Sequence, residues 1–192
     1  YFSVFANGGK SIQPFFIEKI LKTGEEVQFL EKKETNENFI ESWVGKKFPK
    51  EEIFTIDPRV SYIINDILLE ATRRGTGKKI QSLKRDDFAG KTGTTNDAES
   101  TWFTGFNESL VTTVWVGFDQ PKSLGNREFG SSTALPIWMD FMQPNVDNLP
   151  KNKNLPPEGI VSIKIDKKTG LKAESDSRNS IFEYYLEEHL PR

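Results

Sequence analysis

The chain has 192 residues, with 26 Lys and Arg against 28 Asp and Glu and a formal net charge of -2. That balance excludes the basic footprint of a nucleic-acid binder and the polybasic patch of a membrane-surface protein. There is no Cys, so disulfides and thiolate metal sites are excluded, and a single His, His189 near the end of the chain, argues against a His-based zinc site or a Ser-His-Asp triad.

Apolar residues are 35% of the chain, with 15 Phe and 4 Trp to anchor a core. No apolar run approaches the ~20 residues that span a bilayer. The chain opens at Tyr1 in mid-pattern, with no signal peptide, and reads as a piece of something longer.

In chain order, residues 1–6 are apolar and run into Asn7-Gly8-Gly9, which predicts a helix end capped by glycine. Runs at 15–22 and 27–32 flank Thr23-Gly24-Glu25 and predict a hairpin. Residues 33–55 are polar and predict a surface loop. Asp57-Pro58 supplies an N-cap and a first-turn proline. Val60, Ile63, Ile64, Ile67, Leu68 and Ala71 then recur at helical spacing up to Gly75. This stripe is read as the core face of a helix rather than a groove for a partner.

Strands are predicted at 88–95, 101–106 and 110–118, the last two joined by the turn Asn107-Glu108-Ser109. That turn also fits a glycosylation sequon, which its tightness discounts. The third strand is apolar on both faces, so both faces of the sheet are expected to be covered. Ser131, Ser132 and Thr133 predict the cap of a helix over 134–142, with Pro136 in its first turn. Residues 144–157, rich in Pro and Asn, read as a linker. Residues 160–165, a turn at 166–170 and a return from Leu171 predict a small hairpin, and 181–190 a short terminal helix. The expected class is α+β, an antiparallel sheet flanked by helices, with boundaries at 1–143 and 144–192.

The sharpest local signal is Ala89-Gly90-Lys91-Thr92-Gly93-Thr94-Thr95. Gly90-Lys91-Thr92 has the closing letters of a phosphate-binding loop. The glycine required five residues earlier is Arg85, and Asp86 and Asp87 would oppose a phosphate. Gly75-Thr76-Gly77-Lys78-Lys79 fails as well, with Thr72 for the first glycine and Lys79 for the Ser/Thr. The alternative is acyl transfer, in which Lys-Thr-Gly is one of three motifs of serine enzymes acting on peptide-like acyl donors. A strand can lay its backbone against an extended peptide, and glycine permits close approach. Lysine and threonine hydroxyls suit a carboxylate, and a strand N–H suits an oxyanion.

Alone the motif is a weak signal, but its surroundings strengthen it. Arg73-Arg74-Gly75-Thr76-Gly77 precedes it, and Asn96-Asp97-Ala98 follows. Then come Trp102-Phe103-Thr104-Gly105-Phe106, Val114-Trp115-Val116-Gly117-Phe118-Asp119 and Ala134-Leu135-Pro136-Ile137-Trp138-Met139. This ordered set, with Phe5-Ala6-Asn7-Gly8-Gly9, resembles the C-terminal half of the transpeptidase domain of class A penicillin-binding proteins, nearest the 1A type of Gram-negative bacteria. The resemblance runs from Tyr1 to about residue 142 and more loosely to Pro191.

The resemblance implies a penicillin-binding and serine β-lactamase-like fold. It implies D-Ala-D-Ala transpeptidation, cross-linking peptidoglycan stem peptides through a serine acyl-enzyme that β-lactams trap. A glycosyltransferase domain would lie elsewhere in the parent, on the periplasmic face of the inner membrane. No cofactor or metal is implied. By match to the motif, Lys91 would supply positive potential and contact the serine of a Ser-x-Asn motif. Thr92 and Thr94 would bind the carboxylate, Gly93 would allow close approach, and the Thr94 N–H would complete the oxyanion hole. Thr95 belongs to the same substrate-binding run.

One departure matters. No Lys has a Ser three residues before it, so the chain contains no Ser-x-x-Lys. Ser177-Arg178-Asn179 follows the Lys-Thr-Gly motif instead of preceding it and is read as coincidence. The nucleophile is therefore expected before Tyr1, and the isolated chain is expected to be inactive. A D,D-carboxypeptidase or β-lactamase-like enzyme and a non-catalytic subdomain are the alternatives. Without the nucleophile-bearing layer one sheet face would be bare, so the missing part of the domain or a dimer partner is expected to cover it. Trp102, Phe103, Phe106, Trp115 and Trp138 are read mainly as packing residues, and His189 as a surface residue.

Overall fold

The computed structural model describes residues 1–12, 21–22, 25–26, 55–153, 155–174 and 176–192. The chain divides into two compact units, Ser11–Ile53 and a larger one made of Tyr1–Lys10 with Phe54–Arg192. In the smaller unit, β1 (Leu21–Lys22) and β2 (Glu25–Glu26) pair antiparallel. Glu25, assigned to the turn by sequence, is already paired with Lys22. The rest of that hairpin, and all but the last residue of the predicted loop 33–55, lie outside the described residues.

In the larger unit, α1 (Phe2–Ala6) ends as expected on glycine. Gly8 and Gly9 have φ of 76° and 100°, and the Gly9 N–H donates to the Val4 carbonyl at 2.7 Å. α2 (Pro58–Arg73) begins at the expected cap, where Asp57 Oδ1 accepts the Arg59 N–H at 2.8 Å. Such a cap is worth about 1 kcal/mol.

The buried face of α2 differs from the expected stripe. Ser61, Tyr62, Leu68, Leu69 and Thr72 are buried, whereas Ile67 is 60% exposed and Val60, Ile63, Ile64 and Ala71 are only partly buried. Leu68 and Ile64 of the stripe do pack with Leu69 on the core, and the helix adds Ser61 and Thr72 where it approaches backbone carbonyls. Thr72 Oγ1 bonds the Leu69 and Phe88 carbonyls, both at 2.7 Å. A short hydroxyl-bearing residue fits that approach where Ile would not.

The central sheet has the order β3 (Ala89–Thr94), β4 (Ser100–Phe106), β5 (Val111–Gly117), all antiparallel. α3 (Ala134–Met142) covers one face. Phe88, Phe103, Leu135, Trp138, Met142 and Ile80 form the core there. Phe88 and Phe103 meet Trp138 edge-to-face at 5.6 and 5.4 Å. Burying each such ring contributes roughly 1.5–3 kcal/mol.

On the other face, Ala89 and Phe106 pack with Leu68 and Leu69 of α2 and Ala6 of α1. That covering reaches only one end of the strands. At the other end Trp102 and Trp115 are 45% and 44% exposed, with ring centroids 6.2 Å apart. Coverage of both faces is thus incomplete, and these two tryptophans are not core residues. Strand alternation puts them on the α2 face beyond the reach of α2.

Thr133 does not cap α3. Its hydroxyl donates to the Phe129 carbonyl at 2.8 Å and shares a 2.6 Å bond with Thr101 Oγ1. After α3, a 3₁₀ turn (Gln143–Asn148) buries Val146 in the core, so the first part of the expected linker is docked. Arg85 holds it, donating to the carbonyls of Val146, Leu149 and Pro150 at 2.8, 3.0 and 3.0 Å. Asn107 in the β4–β5 turn is buried, its Oδ1 accepting the N–H groups of Ser109 and Leu110 at 3.0 Å, which closes the sequon to modification.

The tail is corrected most. β6 (Ile160–Asp166) pairs with β7 (Ser180–Leu186), Ile160 opposite Leu186, rather than with a strand starting at Leu171. Of the expected return only Lys172 bridges Ile165. The predicted terminal helix is this β7 strand, as its Ile, Phe and two Tyr residues favour. Tyr184 of β7 meets Tyr62 of α2 at 5.1 Å, and Glu188 pairs with Arg59 at 2.9 Å. His189 is exposed.

Candidate active site

β3 is an edge strand, and its register decides which groups it offers. Lys91 lies opposite Thr104, Thr92 opposite Phe103, Gly93 opposite Trp102 and Thr94 opposite Thr101. The Thr95 N–H donates to the Ser100 carbonyl at 3.0 Å. In an antiparallel pair this bonding alternates, so Gly93 and Lys91 also turn their backbone groups toward β4. Thr92 and Thr94 therefore present their N–H and C=O groups along the open edge. Their side chains share the α3 face, with Phe103 and Thr101 opposite them.

Each hydroxyl is held. Thr92 Oγ1 lies 2.9 Å from Thr76 Oγ1. Thr94 Oγ1 accepts the N–H of Gly130, in the loop before α3, at 3.0 Å. The ammonium of Lys91 is exposed and donates to the Thr92 carbonyl at 2.8 Å. Gly93 turns its missing side chain toward Trp102, where a Cβ would lie 3.3 Å from Trp102 Cβ. Thr95 is separate from this edge. Its hydroxyl oxygen accepts the N–H groups of Glu99 and Ser100, both at 3.0 Å, and closes the β3–β4 turn.

The structure thus brings Lys91, Thr92 and Thr94 together, with Gly93 between them and Thr95 facing the turn. Two groups that sequence reasoning passed over join the site, the Thr76 hydroxyl and the Gly130 N–H. The pattern Gly75-Thr76-Gly77 was the available signal for the first; it fails as a phosphate loop and counts toward the family resemblance, but neither reading assigns Thr76 a role. Ser177 lies in the turn before β7, accepting from the Ser180 hydroxyl at 2.7 Å, and Asn179 accepts from Lys167 N–H at 3.0 Å.

Behind the motif, Arg85 and Asp87 form a two-pronged pair with both N–O distances 2.6 Å. Burial pushes the Asp87 carboxyl up, but the Arg85 guanidinium, the Asn152 N–H and the Asn107 side chain outweigh it and hold it below the usual range. Of the two carboxylates that counted against a phosphate, Asp87 is therefore neutralised by Arg85. Among the described residues no group of three or more acidic or His side chains is placed to hold a metal ion, and no helix is long and apolar enough to cross a membrane.

A helix-flanked antiparallel sheet with Lys-Thr-Gly on its open edge strand defines an α+β domain carrying a motif that penicillin-binding proteins share with serine β-lactamases. Comparison with known proteins agrees. Residues 1–143 match the model of the penicillin binding protein transpeptidase domain. Penicillin-binding protein 1A of Pseudomonas aeruginosa is 46% identical over 143 residues, 74% of this chain and 17% of that protein. Penicillin-binding protein 1A of Neisseria lactamica is 34% identical over 189 residues, 98% of this chain and 20% of that protein. The crystal structure of penicillin-binding protein 1A from Haemophilus influenzae superposes with a TM-score of 0.80 at 32% identity, covering 98% of this chain and 31% of that one. The chain belongs to the penicillin-binding protein transpeptidase family. It spans about a fifth of the length of the curated relatives named here.

Proposed function

We propose that residues 1–143 are the C-terminal part of a D-Ala-D-Ala transpeptidase domain and that β3 is its substrate strand. The observation that carries this reading is the pairing register, which points the backbone of Thr92 and Thr94 out along an unpaired edge. An extended stem peptide or a β-lactam adds to that edge. The Thr92 and Thr94 hydroxyls donate to its carboxylate, and Lys91 supplies the positive potential. The Thr94 N–H stabilises the oxyanion as the acyl bond forms. Gly93, without a side chain, lets the acyl group approach.

The attacking serine comes from outside residues 1–192, because no Ser-x-x-Lys occurs within them. The same missing part of the domain covers the bare face at Trp102 and Trp115. A relative of which this chain covers 31% has the remaining chain to supply it, which favours it over a dimer partner. Residues 144–192 are the segment that follows the domain. Glycosyltransferase activity and a periplasmic setting belong to the parent protein.

The test is incubation with benzylpenicillin followed by intact mass measurement. The full-length protein is expected to gain one penicilloyl adduct, and the 192-residue chain alone none. An adduct on the isolated chain would overturn the placement of the serine, and none on the full-length protein would overturn the function.

A further inference from the structure

We propose that Thr76 is a positioning residue of the carboxylate site, aiming the hydroxyl proton of Thr92 at the bound anion. The inference rests on the reading of Thr92 given above. Its own observation is the 2.9 Å bond between the Thr76 and Thr92 hydroxyl oxygens, the one side-chain bond to Thr92 Oγ1 among the described residues.

The contact is built by the way the chain rounds the edge of β3. α2 packs Leu68 and Leu69 on the Ala89 and Phe106 face of the sheet. The 3₁₀ turn that follows, Lys78–Leu83, buries Ile80 with Phe88 and Phe103 on the opposite face. Residues 74–77 must therefore cross the open edge, and Thr76 stands where they cross. The crossing is tied down on both sides. The Gly77 N–H donates to the Ala71 carbonyl at 3.0 Å, and Gln81 Nε2 to the Thr72 carbonyl at 3.3 Å. Lys79 Nζ reaches the Ser131 carbonyl at 3.3 Å. Thr72, one turn before the crossing, holds the Phe88 carbonyl just ahead of β3.

The chemistry follows from counting protons. A hydroxyl has one proton to give and two lone pairs to receive. With the site empty, either oxygen of the pair can be the donor. With a carboxylate bound, Thr92 must give its only proton to the anion, so Thr76 must donate to Thr92. The result is a one-directional chain, Thr76 O–H to Thr92 O–H to carboxylate, in which each bond polarises the next. Lys91 does not compete, because its ammonium bonds the Thr92 carbonyl and not the hydroxyl. Thr76 reaches the substrate only through Thr92.

The experiment uses the full-length protein that contains this chain and measures acylation by benzylpenicillin and by its methyl ester, which lacks the carboxylate. Binding before acylation is separated from the acylation step. Thr76→Val is expected to weaken binding of the acid about three- to tenfold, the range one neutral hydrogen bond supplies. The acylation step and the ester are expected to be unaffected. Thr76→Ser should restore acid binding, Thr76→Ala should repeat the loss if valine impairs folding, and Thr76→Val added to Thr92→Val should cost nothing further. Equal losses on acid and ester, or none on either, would overturn the role of Thr76. If Thr92→Val leaves the preference for the acid intact, the assignment of Thr92 fails, and this inference with it.

Discussion

The backbone N–H of Gly130 donates to the hydroxyl oxygen of Thr94 at 3.0 Å, so the loop before α3 holds a side chain of the proposed carboxylate site. A Cβ on Gly130 would lie 2.4 Å from the Trp102 carbonyl oxygen and 2.8 Å from that of Gly93. Both are backbone atoms of the paired strands and cannot swing aside. Gly130→Ala is therefore expected to lift the loop off the edge and free Thr94. It should cost about 1–3 kcal/mol in stability and slow β-lactam acylation of the full-length protein. Unfolding curves and acylation rates measured together check this, and unchanged values for both would show that the loop tolerates the methyl group.

Arg85 and Asp87 are the most buried charged pair among the described residues, with side chains 4% and 5% exposed. Arg85→Met strands a carboxylate and three carbonyls, and about 3–5 kcal/mol of stability should be lost. Arg85→Met with Asp87→Leu should cost less, since no charge is left unpaired. The pair also sets an acid limb. The Asp87 carboxyl lies below its ordinary 3.8, so its contribution is complete above that value and disappears as pH falls through the lowered one. Acid titration of stability should flatten in the double variant.

A second titration runs the other way. Asp66 on α2 and Glu183 on β7 are both raised, by burial first, then Asp66 by Glu70 and Glu183 by Asp66 and Glu70. A carboxyl raised in the folded state favours folding when protonated. The packing of β6–β7 on α2 should therefore tighten as pH falls through the raised values toward the ordinary 3.8 of Asp66 and 4.5 of Glu183. Amide exchange in β7 reads this directly, and Glu183→Gln should remove much of the dependence. Faster exchange in β7 at the lower pH would contradict the sign.

The faces of α2 differ in what they tolerate. Ile67→Ser should stay within about 0.5 kcal/mol because the side chain is 60% exposed. Leu69→Ala should cost about 2–5 kcal/mol, as buried leucines do. Thr72→Val keeps the volume but leaves the Phe88 carbonyl short of a partner, at about 1–3 kcal/mol. Thermal unfolding of the three variants should rank Ile67 lowest, and a reversed order would show that the apolar stripe is the packed one.

Much of this was legible from residue order alone. Asp57-Pro58 marked the start of α2, Asn7-Gly8-Gly9 the end of α1, and two short apolar runs joined by the turn Asn107-Glu108-Ser109 marked β4 and β5. These signals are local, since a cap or a tight turn satisfies its own backbone groups within a few residues. The same locality misled elsewhere. The apolar spacing of Val60, Ile63 and Ile67 placed the packed face of α2 too far round; Leu68 and Leu69 meet the core, and Thr72 on the same face bonds the Phe88 carbonyl. Ile181 to Leu190 suggested a helix until a partner strand at Ile160–Asp166 made pairing the better use of its Tyr and Phe residues.

The candidate site divides along the same line. Sequence by itself determined the Lys-Thr-Gly-Thr content of β3 and, through the ordered set of motifs around it, the family. Only the tertiary structure decided that Thr92 and Thr94 face the open edge, that Thr95 turns back into the hairpin, and that Thr76 and Gly130 meet the two hydroxyls from distant parts of the chain. A strand's side-chain period follows from its own backbone. Which edge stays unpaired, and what crosses it, depends on how helices far off in sequence pack against the two faces of the sheet.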